Sequence, residues 1–190
     1  MAHINRPQTA GAPDIPAAAE TRWIYRGEFI NLREDTVILE DGQRHTATVV
    51  EYPSSVCIVP VFPDRTVMLV RQFRKPAEEF LLEAPAGKME PGEIPEAAAL
   101  RELQEEIGHT AGRLNPLATF YTEPALCTQR MHVFLARDLT PARLSADEDE
   151  FIDVRRIPIE RAAGLIADGS IRDAKSISAL LLAMRVMGDN

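Results

Sequence analysis

The chain has 190 residues, of which 45% are apolar and 26% charged. That is one domain's worth of ordinary globular composition, which excludes wholesale disorder and leaves no room for two full domains. Its 29 acidic residues against 21 basic ones give a net charge of −8, the wrong sign for a protein that holds nucleic acid by its phosphates.

In chain order, residues 1–20, with Pro7, Pro13 and Pro16, show no apolar periodicity and read as a flexible leader. Strand patterning follows from Trp23 to Ile30, Thr36 to Glu40 and His45 to Glu51, with a turn at Asp41-Gly42. Val56 to Phe62 and Thr66 to Phe73 are β-branched runs bounded by Pro63-Asp64, which suits neighbouring buried strands. At Ile94 the period changes from two to about 3.6, predicting a helix over 95–107, opened by Pro95 and ended by Gly108. Strands near 117–121, 131–137 and Phe151–Ile157 come next, the last preceded by the acidic run Asp147-Glu148-Asp149-Glu150. Helices over Pro158–Ala167 and Asp173–Met187 close the chain, with Gly169 between them. The whole reads as a single mixed α+β domain over 21–190.

Cys57 and Cys127 lie far apart without CxxC spacing, so neither a disulfide framework nor a zinc site is indicated, and a reducing cytoplasm fits. The longest apolar stretch, Ala179 to Met184, falls far short of the roughly 20 residues needed to cross a bilayer. No membrane partner is expected. Cys57, Cys127 and the four histidines have no triad-like neighbours, which disfavours covalent catalysis.

The chemistry concentrates on the 95–107 helix. Leu100, Leu103 and Ile107 fall within about 60 degrees of one another and form its core-facing stripe. Glu102, Glu105 and Glu106 crowd the other side, with Arg101 as the nearest counter-charge. Like charges so close destabilise a helix by a few tenths of a kcal/mol per pair. Such a patch is either a solvated acidic face or a hard-cation site, since clustered carboxylate oxygens are what Mg²⁺ or Mn²⁺ accepts.

The preceding loop, Gly87-Lys88-Met89-Glu90-Pro91-Gly92-Glu93, turns sharply at its glycines and leads into Arg101-Glu102-Leu103-Gln104-Glu105-Glu106-Ile107-Gly108. The series resembles the Nudix box, G-x5-E-x7-R-E-U-x-E-E-x-G-U with U apolar. Only the last position departs, where His109 stands for an apolar residue. Two flanks, Arg71-Gln72-Phe73-Arg74 and Glu83-Ala84-Pro85-Ala86-Gly87, resemble the branch of ADP-ribose and nucleotide-sugar pyrophosphatases. Pro124 and Asp168-Gly169-Ser170-Ile171-Arg172-Asp173-Ala174 do so as well.

The resemblance implies an α/β/α sandwich with a mixed sheet, carrying an N-terminal antiparallel hairpin extension. Strands over about 21–52 would serve dimerisation, and 53–190 would form the catalytic core. It implies a homodimer, Mg²⁺ (or Mn²⁺) as cofactor and hydrolysis of a nucleoside diphosphate sugar. Metal would be held by Glu102, Glu105, Glu106, Glu150 and the Ala86 carbonyl. Catalysis would rest on Glu105, Glu106 and Glu148, with Glu148 as base. Arg74, Arg71, Glu83 and Gln129 would bind substrate, while Gly87, Glu93, Arg101 and Gly108 would shape the motif. Where that branch often reads Ser-Pro-Gly with a later Glu, this chain has Glu123-Pro124-Ala125 and Gln129. That keeps two alternatives in play: a different nucleoside diphosphate derivative, and a non-catalytic nucleotide-binding module. Ala47 stands about where some relatives stack the base on an aromatic ring. Trp23, Tyr25 and Phe29 are left either for that task or for core and dimer contacts.

Overall fold

The computed structural model describes residues 18–144 and 152–188. The leader up to residue 17, and the acidic run with Glu148 and Glu150, lie outside the described residues. The backbone divides into two units, the boundary falling between Glu51 and Tyr52.

The first unit is an antiparallel three-stranded sheet of β1 (Glu20–Arg26), β2 (Asn31–Ile38) and β3 (Arg44–Glu51), in that order. Gly42, at φ +82°, makes the β2–β3 turn possible, because that left-handed conformation costs a side-chain-bearing residue energy. Apolar alternation starts the second strand too late, at Thr36. It is absent over Arg33, Glu34 and Asp35 because cross-strand polar pairs hold that stretch: Arg22 with Glu34 at 2.6 Å, and Thr21 with Asp35 at 2.8 Å.

The second unit comprises β4 (Ser55–Pro60), β5 (Thr66–Arg74), β6 (Glu79–Glu83), β7 (Ala86–Lys88), α1 (Pro95–Glu106), β8 (His109–Tyr121), β9 (Arg130–Pro141), β10 (Asp153–Pro158), α2 (Ala162–Ala167) and α3 (Ala174–Gly188). One sheet runs β7-β4-β9-β8 and the other β10-β5-β6. All pairings are antiparallel except β4 with β9. The two-residue period of these strands sorts their side chains into two cores. Val56 and Ile58 of β4, Val70 of β5, and Phe134 and Ala136 of β9 pack with Ala98, Ala99, Leu103 and Ile107 beside α1. Their neighbours Cys57, Val59, Leu69, Val133 and Leu135 pack with Ala162, Ile171, Ala179, Leu180 and Ala183. Strands buried on both faces between helices give the expected α/β/α sandwich.

Two short strands, β6 and β7, had no sequence signal, being five and three residues long. β8 begins at His109, well before the expected 117. Its pairing with β9 is irregular between Pro116 and Ala118, and a proline lacks the N–H that a regular ladder needs. The helix expected over 158–167 is a single 3-10 turn, Ile159–Arg161, leading into the short α2.

Candidate active site

Helix α1 is aimed by its two ends. Pro95 opens it, and at its far end the N–H of Ile107 donates to the Leu103 carbonyl before Gly108 leaves at φ +66°. Its apolar side is anchored by Leu103, whose burial contributes roughly 1.5–3 kcal/mol. The carboxylates differ from the expected arrangement. Glu102 and Glu106 are only 8% and 6% exposed, whereas Leu100 is partly exposed. The acidic edge of α1 does not face open solvent; it leans against the Ala86–Lys88 strand. A helical wheel locates an edge but not the neighbouring chain that covers it.

The covering segment explains the glycine. A Cβ on Gly87 would collide with the Glu102 carboxylate where it now lies, so glycine lets strand β7 and that carboxylate pack together without either moving. One residue earlier, the Ala86 N–H donates to Glu106 Oε2 at 3.0 Å. The backbone at 86–87 is thus wedged against both buried glutamates.

Arg101 holds the loop to the helix. Its Nε and Nη2 each donate to Glu93 at 3.1 Å, and Nη2 also donates to the Lys88 carbonyl at 2.9 Å. Its Nη1 bridges Glu102 Oε1 and Glu105 Oε2, both at 2.8 Å. The guanidinium holds the Glu93 carboxyl below its usual range, outweighing partial burial, with the Glu90 N–H adding to the effect. The same bonds push the arginine's own pKa upward. The box thereby closes on itself: Gly92 turns at φ +83°, and Glu93 clamps Arg101. His109, the one departure from the box, donates from Nδ1 to the Ile107 carbonyl at 2.8 Å and packs edge-on against Phe62.

The donor set suits a hard divalent cation. Arg101 binds Glu93, Glu102 and Glu105, while Glu106, buried like Glu102, accepts from the Ala86 N–H. Carboxylate oxygens brought together beside a backbone carbonyl are the kind of ligand such a cation accepts. Among the described residues no three His, Cys, Asp or Glu side chains gather round one point. What the described part supplies is Glu102 and Glu106, with the Ala86 backbone between them.

The second half of the site lies three residues upstream. Glu83 is 2% exposed and accepts from Arg74 Nη2 at 2.6 Å and Nε at 3.1 Å, and from Gln72 Nε2 at 3.4 Å. Arg74, with 35% of its side chain exposed, is thus held by a buried carboxylate. Arg71 stacks over the Phe80 ring at 4.3 Å. Gln129 is engaged at both ends of its amide, donating to Ser55 Oγ at 2.8 Å and accepting from Thr122 Oγ1 at 3.0 Å. It pins the 122–129 loop to the start of β4. Cys57, fully buried, lies within electrostatic reach of both Glu83 and Glu106. Burial chiefly raises its thiol to about 12, so it serves as a core residue and not a nucleophile. Trp23 sits in the first unit with Arg26 over its ring at 4.2 Å.

Sequence reasoning missed three polar residues at this second half: Asp173, Lys175 and Ser176. Lys175 Nζ reaches Glu83 Oε2 at 3.1 Å and Asp173 Oδ2 at 2.8 Å, and Ser176 Oγ accepts from the Ala84 N–H at 2.7 Å. The available signal was a lysine and a serine together at the start of an otherwise apolar helix.

Comparison with known proteins agrees with this geometry. The NUDIX domain model matches residues 51–180. The chain is 39% identical over 159 residues to an ADP-ribose pyrophosphatase of Bacillus subtilis (strain 168), spanning 83% of this chain and 86% of that protein. It is 34% identical over 163 residues to a methanol dehydrogenase activator of Bacillus methanolicus, spanning 85% and 88%. A crystal structure of an ADP compounds hydrolase superposes with a TM-score of 0.84 at 26% identity, over 94% of this chain and 97% of that one. The box, the sandwich that carries it and these relatives together mean that the chain belongs to the Nudix family, in its ADP-ribose pyrophosphatase branch.

Proposed function

We propose that this protein is a divalent-metal-dependent pyrophosphatase that hydrolyses ADP-ribose or a related nucleoside diphosphate sugar to a nucleoside monophosphate and a sugar phosphate. The observation that carries the reading is the pair of buried glutamates, Glu102 and Glu106, wedged against the backbone at Ala86-Gly87. The ADP-ribose pyrophosphatase and ADP compounds hydrolase among the relatives supply the substrate class.

Glu102 and Glu106, with the Ala86 carbonyl and Glu105, would hold the cation, which we take to be Mg²⁺, Mn²⁺ serving as a substitute. Bound there, a divalent ion offsets phosphate charge and acidifies a water molecule. Arg74 attracts the diphosphate with its guanidinium charge, and Glu83, which takes the Nε and Nη2 donors, keeps that group in place. Arg71, stacked on Phe80, is a weaker second contact. We assign the base that takes the proton of the attacking water to Glu148 and a further metal ligand to Glu150, both outside the described residues. Water adds to one phosphorus, the bridging P–O bond breaks, and the departing phosphate carries away the electron pair. Glu93 and Arg101 fix the loop, and Gln129 contributes by holding the 122–129 loop.

The protein acts as a homodimer through its N-terminal strands, in the cytoplasm. Support for the dimer is the exposed apolar set Trp23, Ile24, Tyr25, Phe29 and Ile30 in the first unit. Among the described residues no helix is long and apolar enough to cross a membrane. The reading is tested with ADP-ribose, sugar nucleotides, dinucleotides and a coenzyme A derivative, each with Mg²⁺ and with EDTA, by following the phosphate ester released. EDTA-sensitive release from ADP-ribose or a sugar nucleotide is expected. Release from none of the panel would instead favour a binding module.

A further inference from the structure

We propose that Lys175 is a positioning residue for substrate binding, acting through Glu83 on the diphosphate-gripping Arg74; this assignment rests on the function proposed above. Four charged groups meet at the junction of β5, β6 and α3. Glu83 Oε2 receives Arg74 Nη2 at 2.6 Å on one side and Lys175 Nζ at 3.1 Å on another. Lys175 Nζ turns in addition to Asp173 Oδ2 at 2.8 Å. Asp173 is itself fixed by the start of α3, since its Oδ2 accepts from the Ser176 N–H at 3.0 Å. Its other oxygen, Oδ1, is buried with no hydrogen-bond partner among the described residues, so its charge leans on the lysine.

The quartet is neutral: two carboxylates, one guanidinium and one ammonium. That balance matters because Arg74 is the member nearest the surface. Its side chain is 35% exposed, against 19% for Lys175, 13% for Asp173 and 2% for Glu83. Without Lys175 the group carries one net negative charge beneath Arg74, which cancels the field that attracts a diphosphate and pulls the guanidinium inward. Burial works against the ammonium, yet the Asp173 and Glu83 carboxylates outweigh it and hold Lys175 charged. Helix stability does not account for the choice. A lysine in the first turn of a helix opposes the macrodipole, and the side chain is turned toward the strand edge.

α3 joins this edge at a further point. Ser176 Oγ accepts from the Ala84 N–H at 2.7 Å, next to Glu83 and two residues before Ala86. The first turn of the last helix therefore sets the strand segment that carries the gripping pair and leads into the cation site.

The test is a mutant cycle on the full chain, using Lys175→Met, Arg74→Ala and the double variant, with ADP-ribose and Mg²⁺. Lys175→Met is expected to raise KM about tenfold with kcat within about twofold, the mark of lost binding and not of lost chemistry. In the Arg74→Ala background the same change should leave KM within about twofold, whereas any loss of melting temperature from removing the buried ion pairs should be the same in both backgrounds. Should Lys175→Met unfold at the assay temperature, Lys175→Gln goes through the same cycle. An unchanged KM, or an equal rise in both backgrounds, overturns the positioning role and leaves the proposed function standing. If the wild type releases nothing from ADP-ribose or any sugar nucleotide, the proposed function falls and this role falls with it.

Discussion

Strands β1 and β4 are both short and rich in strand-forming residues, yet every residue of β1 is exposed and every residue of β4 is buried. The contrast separates two ways of holding a sheet together. In the first unit, stability comes from edge-to-edge pairs. Arg22 meets Glu34, Arg44 meets Glu20, Arg33 meets Glu51, and Thr36 meets Thr46. Surface ion pairs of this kind contribute about 0–1 kcal/mol each, and a small sheet with exposed faces is marginal alone. In the second unit the strands lie between helices, and the buried charged residues among those described, Glu83, Glu102 and Glu106, are the ones we propose hold the cation and position Arg74. Burial there is spent on function as well as on fold.

Four experiments probe the difference between the two units. The largest effect is expected in the second unit. Glu106→Gln should cut turnover of ADP-ribose by at least about a hundredfold while leaving the melting temperature near wild type, because the amide keeps an oxygen for the Ala86 N–H. Steady-state kinetics beside a thermal melt read both numbers, and near wild-type turnover would remove Glu106 from the mechanism. Next, Leu103→Ala should cost about 2–5 kcal/mol in urea unfolding by opening a cavity under α1, whereas Ile38→Ala at an exposed end of β2 should stay within about 0.5 kcal/mol. Equal costs would erase the distinction between the two units.

The third concerns the exposed strand. Ile24→Asp should halve the mass measured by light scattering on a sizing column, since a buried charge is not tolerated in a sheet interface. A dimer that survives this change would move the interface elsewhere. The smallest effect is electrostatic. Glu93 has its carboxyl lowered by Arg101, so its contribution to stability is present above the ordinary carboxylate pKa and is lost as pH falls through the lowered folded value. In Glu93→Gln the acid limb of a stability-versus-pH curve should flatten. A limb of unchanged slope would mean that this clamp contributes nothing to the loop.

Much of this was legible in the residues. The strand pair Val56–Phe62 and Thr66–Phe73, the helix after Pro95 and the acidic box were all written in local periodicity and spacing. What was not legible depends on contacts between distant segments. Glu102 and Glu106 read as a crowded acidic patch, a solvated face or a cation site, but nothing local says that β7 will cover it; Gly87 hinted at a close approach but not at its partner. Asp173 lay in a segment that resembles the branch and Lys175 opened an apolar helix, but neither pointed to Glu83, 92 residues earlier in the chain than Lys175, because that contact exists only once α3 docks. β6 and β7 escaped detection because such short strands leave too few residues to establish a period.

The central claim is that the buried glutamates of α1 bind the cation on which the reaction depends. Titrating Mn²⁺ into the protein while following the electron paramagnetic resonance of the free ion counts bound ions without any turnover. The account predicts saturable binding in the wild type that is weakened at least about tenfold in Glu102→Gln and in Glu106→Gln, because each removes a charged ligand. Identical binding curves for all three proteins would contradict it.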